Sequence, residues 1–276
     1  MTIDPDQIPS IGPAAYLSCL RGVTWREGLR FFHQRERFIA ALVRPLVWLL
    51  VFAAGFRAVL GLSIIPPYET YILYEVYILP GLVGMIQLFN GMQSSLSLVY
   101  DREMGSMKVL LTSPLPRWYL LLCKLFAGCV VSILQVYAFL LAAYLLGIEV
   151  PMLGYFALAP TLIITGLMLG AVGMLLSSFI RQLENFAGVM NFVIFPAFFL
   201  SSALYPLWKM RESSELLYWL CSFNPFTYAV EFIRFSLYLK FDPAATGLTL
   251  LALVAFLASA IWAYDPKRGM TGSGRG

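Results

Sequence analysis

Six long apolar stretches, at 38–60, 76–99, 125–147, 155–178, 186–208 and 244–263, decide what this chain of 276 residues can fold into. Arg44 and Arg57 are the only charged residues inside them. A helix needs about 20 predominantly apolar residues to cross the hydrocarbon of a bilayer, and every stretch supplies them. Charged residues make up 12% of the chain, half of the roughly 25% usual in soluble domains. A soluble globular, disordered or fibrous protein is excluded. So is a membrane β-barrel, whose strands alternate in segments of about 10 residues. The expected fold class is all-α and integral to the membrane, with six transmembrane helices.

The placement of the basic residues orients those helices. With an even number of spans both termini share one side. That side holds Arg21, Arg26, Arg30, Arg35, Arg37, Arg102, Lys108, Arg117, Lys124, Arg181, Lys267, Arg268 and Arg275. The other side holds only Lys209, Arg211, Arg234 and Lys240. Cytoplasmic loops of membrane proteins carry the excess of Lys and Arg, so both termini are expected in the cytoplasm. The net charge of +4 is spread through short loops with no aromatic-basic patch, and no nucleic-acid partner is expected.

Three regions follow. Residues 1–37 form a cytoplasmic segment. It lacks the basic start and cleavage site of a signal peptide, so the first span is expected to stay as an anchor. Within it, Arg26, Arg30, His33 and Arg37 share one helical face, and Trp25, Leu29 and Phe32 another. A basic face beside an aromatic-apolar one suits an amphipathic helix lying among cytoplasmic lipid headgroups. Residues 38–263 make the six-helix transmembrane region, and residues 264–276 a flexible cytoplasmic tail rich in glycine. Cys19, Cys123, Cys129 and Cys221 form no CxxC cluster and read as small apolar fillers. No metal site is expected.

Enzymatic patterns are absent from the sequence. There is no HExxH pair, no GxSxG elbow and no GxxxxGK[ST] phosphate loop. Any ATP and Mg used would therefore bind on another subunit. Polar residues within the spans mark possible routes through a membrane protein. Gln87, Asn90 and Ser94 fall on one face of the second span, and Asn191 and Gln135 lie in others. They serve either to line a translocation pathway or to bond helix to helix, and the pattern does not choose. Arg44 and Arg57 read as anchors reaching the inner and outer surfaces. Gly166, Gly170 and Gly173 set up close helix packing.

Two connections are long. The inner one, 100–124, opens Asp101-Arg102-Glu103-Met104-Gly105 and continues Leu110-Leu111, Ser113-Pro114-Leu115 and Lys124. The outer one, 209–243, carries Asn224-Pro225-Phe226-Thr227-Tyr228, then Glu231 and Arg234, after a fifth span ending Phe199-Leu200-Ser201-Ser202-Ala203-Leu204-Tyr205-Pro206-Leu207. In that order and on that topology, these segments resemble the ABC-2 type family of ABC-transporter permeases. Ser202 stands where that family usually has glycine. The wording Leu62-Ser63-Ile64-Ile65-Pro66-Pro67-Tyr68 further resembles permeases associated with bacterial alcohol-oxidation systems.

The resemblance implies a type V, ABCG-like exporter, in which two permease subunits pair with two separate ATPase subunits. It makes Asp101, Arg102, Glu103, Met104 and Gly105 the start of a cytoplasmic coupling helix that senses ATP-driven closure. It implies re-entrant outer helices between spans 5 and 6, built around Asn224, Pro225, Phe226, Tyr228, Glu231 and Arg234. The chain itself would bind no cofactor. Its partners would be an ABC ATPase, a second permease subunit and membrane lipids, in the plasma membrane (the inner membrane of a Gram-negative cell). Two other classes fit the sequence less well. An ion-coupled carrier or channel is disfavoured because no Asp or Glu lies within the six stretches, and a lipid-modifying enzyme because no His or carboxylate cluster exists.

Overall fold

The computed structural model describes residues 12–33, 35–56, 66–69, 72–103, 115–180 and 182–264. The regular elements among these residues are helices. In chain order they are α1 Pro13–His33, α2 Arg35–Phe56, α3 Tyr74–Glu103, α4 Arg117–Leu145 and α5 Met152–Phe179. They continue with α6 Leu183–Phe199, α7 Leu207–Ser213, α8 Glu215–Phe223, α9 Pro225–Leu237 and α10 Pro243–Ala263. Three of them, α4, α5 and α10, are long and apolar enough to cross a membrane. The remaining apolar stretches fall short for visible reasons. In α2 the apolar run among the fully described residues is Leu42–Phe52, and α6 has 17 residues. The 30-residue α3 spends its middle on Gln87, Asn90, Gln93, Ser94, Ser95 and Ser97.

The bundle is organised around α3 and α5. Helix α4 packs on both, α2 and α6 lie along α3, and α9 and α10 lie along α5. Glycines set the α3–α5 crossing. A Cβ placed on Gly91 would lie 2.8 Å from the Gly170 Cα, and one on Gly173 2.8 Å from the Gly91 carbonyl. With no side chains between them, the two backbones touch, which lets dispersion and weak Cα–H···O contacts accumulate where no hydrophobic drive exists in lipid. Gly166 and Gly170 admit Cys129 and Leu125 of α4 in the same way, at 2.8 and 2.6 Å from a notional Cβ. The close packing read from these glycines is present.

Helix α4 ends at a left-handed glycine. Gly147 has φ +86°, and the Ile148 amide returns to the Ala143 carbonyl at 3.1 Å, a Schellman-type closure. At the other end of the bundle α1 lies against α4. Tyr16 stacks edge-on to Tyr119 with centroids 4.8 Å apart. The packed stripe of α1 runs Tyr16, Leu20, Val23, Glu27 and Phe31, with Phe31 buried. It is neither of the two faces legible in the sequence. Trp25 is 69% exposed and Leu29 40%, so these two residues of the aromatic-apolar face point away from the bundle.

Candidate functional site

Four groups of the singled-out residues are placed by these helices. The first lies where α9 meets α3 and the turn after α6. Asn224 is the N-cap of α9, its Oδ1 accepting from the Phe226 amide at 3.0 Å, with Pro225 at the first helical position. That combination suits a helix start, since Pro has no amide to leave unsatisfied there. The Asn224 amide group also donates to the carbonyls of Ala197 and Leu200, at 2.7 and 2.6 Å. These are orphan acceptors at the C-terminus of α6, whose helix contains Pro196. Thr227 and Tyr228 do the same for α8, donating to the Cys221 and Ser222 carbonyls at 2.7 Å each. The Asn-Pro-Phe-Thr-Tyr run therefore fastens three helix ends together, and Phe226 fills the core beneath Gly84.

Arg234 closes this assembly. It is 2% exposed. One nitrogen pairs with Glu231 one turn earlier, and the other donates to the Ser202 carbonyl at 2.9 Å. Its guanidinium plane sits 4.1 Å over the Tyr77 ring. Tyr77 donates to the same Ser202 carbonyl at 3.0 Å, and Tyr74 to the Leu204 carbonyl at 2.9 Å. A buried cation persists only when paired and hydrogen-bonded, and the turn 201–204 supplies the Ser202 carbonyl for it. That turn is wholly buried, with Ala203 seated on Gly81 of α3.

The second group is the polar ladder of α3. Gln87 is fully buried. It donates to the Leu162 carbonyl at 2.8 Å and accepts from the Thr165 hydroxyl at 2.7 Å. Thr165 was not singled out in the sequence, although its four-residue spacing from Thr161 was a signal. Gln87 thus bonds α3 to α5. Asn90 donates to the Gln135 carboxamide oxygen of α4. Ser94 is half-buried, bonds back to the Gly91 carbonyl at 3.0 Å and faces Gly128. Of the two roles open from sequence, the hydrogen bonds place Gln87 in helix pairing. Asn191 lies elsewhere, on the exposed face of α6 beside Phe192, which is 79% exposed.

The third group is a cleft between α1, α3 and α4, lined by Asn90, Gln93, Ser94 and Ser97 on one side and by Arg30 and Lys124 on the others. Glu27 and Phe31 of α1 complete it, residues the sequence pattern had not marked. The fourth is the inner connection. Helix α3 carries on to Asp101, Arg102 and Glu103. Met104 and Gly105 lie outside the described residues, as do Arg57 and the Leu62–Ile65 wording. Arg44 is exposed on α2, its guanidinium 4.2 Å from the Phe89 ring. No trio of His, Cys, Asp or Glu clusters as metal ligands among the described residues.

These features define a helical membrane-type bundle with polar helix pairing and one clasped end. The chain belongs to the ABC-2 type transporter family, whose model matches residues 19–238 and so takes in α1 through α9. Among its relatives is a protein of Cyanophora paradoxa named as a transport permease (ycf38). It is 30% identical over 219 residues, 75% of this chain and 71% of its own. An Escherichia coli protein named as a multidrug ABC transporter permease (YbhR) is 31% identical over 204 residues, 71% of this chain. The chain spans about half of that relative's length, 54%. A ycf38 permease of Pyropia yezoensis is 27% identical over 239 residues, 83% of this chain and 77% of its own. The chain is thus a transmembrane permease of the ABC type.

Proposed function

We propose that this chain is the permease subunit of an ABC exporter, working as one of a pair, most simply a homodimer. A separate ABC ATPase carries the ATP and Mg. The observation that carries the reading is the family match over 19–238, on a chain with no phosphate loop of its own. Six crossings are assigned to α2, α3, α4, α5, α6 and α10, with both termini in the cytoplasm. Residues 1–37 form the interfacial segment, 38–263 the transmembrane region and 264–276 a cytoplasmic tail. The cargo is an amphipathic or lipid-like molecule moved out of the cytoplasm, a reading supported by the multidrug and transport names of YbhR and ycf38.

In this reading Asp101 to Gly105 begin the coupling helix that meets the ATPase. Charge pairs would set its orientation there. At the other end α7, α8 and α9 form the outer cap, with α8 and α9 re-entrant. Helix α8 supports this, for Leu216, Trp219, Leu220 and Phe223 are all exposed on one of its faces. Such a stripe suits the outer leaflet, where backbone groups must be satisfied internally, as Thr227 and Tyr228 satisfy those of α8.

The test is reconstitution of the chain with the ABC ATPase that co-purifies with it. The chain alone is expected to hydrolyse no ATP, and the pair to move cargo only with ATP. Asp101→Lys and Glu103→Lys are expected to insert normally and to lower transport per ATP hydrolysed by at least tenfold. Transport by the chain without nucleotide would sink the exporter reading. Normal transport by both charge-reversed variants would sink the coupling assignment alone.

A further inference from the structure

The cleft between α1, α3 and α4 is not accounted for by helix pairing. Asn90, Gln93, Ser94 and Ser97 line it from α3, on a single stripe at i, i+3, i+4 and i+7. Seven residues of helix rise about 10 Å, so polar groups reach from the end of the bundle a third of the way into a hydrocarbon core of about 30 Å. Intramembrane polar stripes face a protein neighbour or a polar guest. Ser94 rests directly on Gly128, and beside that contact a cleft stays open along the stripe.

The two ends of the cleft are chemically matched to one kind of guest. Arg30 of α1 and Lys124 of α4 flank its mouth. Glu27, the acidic residue of the lining, pairs with Arg26 at 3.0 Å and with Arg30 at 3.5 Å, so Arg30 would share its charge between Glu27 and a guest. At the deep end Asn90 reaches Gln135, which is wholly buried and whose Nε2 has no hydrogen-bond partner. Gln135 lies one turn beyond Val131 on α4, behind the residues that line the cleft. Beside the mouth, Trp25 and Leu29 of α1 point away from the protein, where acyl chains would lie. Cations at the mouth, hydroxyls and amides within, and apolar surface alongside describe a phosphate ester attached to an apolar tail.

We propose that this cleft binds the phosphate-bearing headgroup of an anionic amphiphile of the inner leaflet. Arg30 and Lys124 hold the phosphate, and the α3 ladder of Asn90, Gln93, Ser94 and Ser97 holds the remaining oxygens. Basic pockets between membrane helices on the cytoplasmic side recognise anionic headgroups by this chemistry. The proposal rests on the membrane placement given above and not on transport.

The full chain, purified and stripped of lipid, is titrated with phosphatidylglycerol or phosphatidylcholine and followed by native mass spectrometry without nucleotide or ATPase. Phosphatidylglycerol is expected to bind about tenfold more tightly. Arg30→Gln and Lys124→Gln are each expected to weaken it about fivefold, the effect of one cation beside an anionic headgroup. Ser97→Leu, which blocks the cleft without changing charge, is expected to weaken it similarly. Lys209→Gln, at the opposite end of the bundle, is expected to leave it unchanged. Inorganic phosphate is the competing arm. Failure to displace the lipid assigns the site to a headgroup, and displacement at millimolar concentration assigns it to a soluble phosphate, the same chemistry from another source. Equal binding of the two lipids, wild-type binding by both Gln variants, or an equal loss with Lys209→Gln overturns the proposal. Ser97→Leu counts only if it elutes as a folded species, and the two Gln variants decide the matter without it. Loss of lipid selectivity alongside intact ATP-driven transport would sink this site and leave the exporter reading standing.

Discussion

Arg234 holds a full charge at 2% exposure, and the residues around it say what its removal would do. Deleting one partner of a buried ion pair typically costs about 3–5 kcal/mol, because the other charge is left behind, whereas replacing both is far milder. Glu231 keeps 19% of its side chain exposed, so its stranded charge is partly hydrated and the lower end applies. Arg234→Met is expected to destabilise the detergent-solubilised protein by about 3 kcal/mol in thermal unfolding. The double variant Glu231→Gln with Arg234→Met should recover at least half of that. A single variant as stable as the wild type would mean the pair contributes nothing net. Tyr68, packed on Tyr77 and Tyr238 nearby, has its phenol pushed up to about 12 by burial. It therefore stays protonated from pH 5 to 9 and adds no pH dependence there. The Glu231–Arg234 pair was legible as an i,i+3 spacing. The Ser202 carbonyl it serves was not, since it lies 32 residues away in sequence and a backbone oxygen leaves no mark in composition.

Among the elements, the α3–α5 crossing and the capping of α9 carry predictions of their own. Gly170 was marked by its spacing from Gly166 and Gly173. Its partner Gly91 was not, because one glycine among polar residues in α3 has no periodicity to betray it. A Gly91→Ala methyl would arrive 2.8 Å from the Gly170 backbone. Overpacking of that kind costs about 1–3 kcal/mol, and chemical denaturation of the variant should show it. Gly188, with nothing within 4 Å of its notional Cβ, is the control, and Gly188→Ala should be neutral or slightly stabilising. Asn224→Asp keeps the cap acceptor but loses both donors to α6. It is expected to cost about 1–3 kcal/mol from unsatisfied carbonyls, more than an N-cap argument alone would give. The motif Asn-Pro-Phe announces a helix start in any sequence. That the same asparagine closes a second helix follows only from the fold, which brings the end of α6 beside it.

At the scale of the molecule, the helical class and its membrane character were legible from hydropathy. Its inner ordering was not. Hydropathy makes α4, α5 and α10 look alike, yet α5 is the central helix and α10 is largely exposed. Such ranking depends on which faces meet, and uniformly apolar helices do not encode it. The packed stripe of α1 was hidden for a related reason, since Glu27 within it reads as a surface residue. The proposed orientation is checked by thiol labelling of intact cells in a background where Cys19 is replaced. Ser213→Cys, on exposed α7, should react with an impermeant maleimide, and Gly22→Cys, on exposed α1, only after permeabilisation. The reverse result would invert the topology. One feature joins the two ends. Helix α3 runs unbroken for 30 residues from Tyr74, under the Arg234 clasp, to Glu103, about 45 Å. It is a strut longer than the hydrocarbon is thick. In the proposed exporter a load that tilts the Glu103 end would be answered at the Tyr74 end, and because linkage is reciprocal a substitution at Tyr77 or Arg234 should register as altered nucleotide affinity on the ATPase partner that neither residue touches.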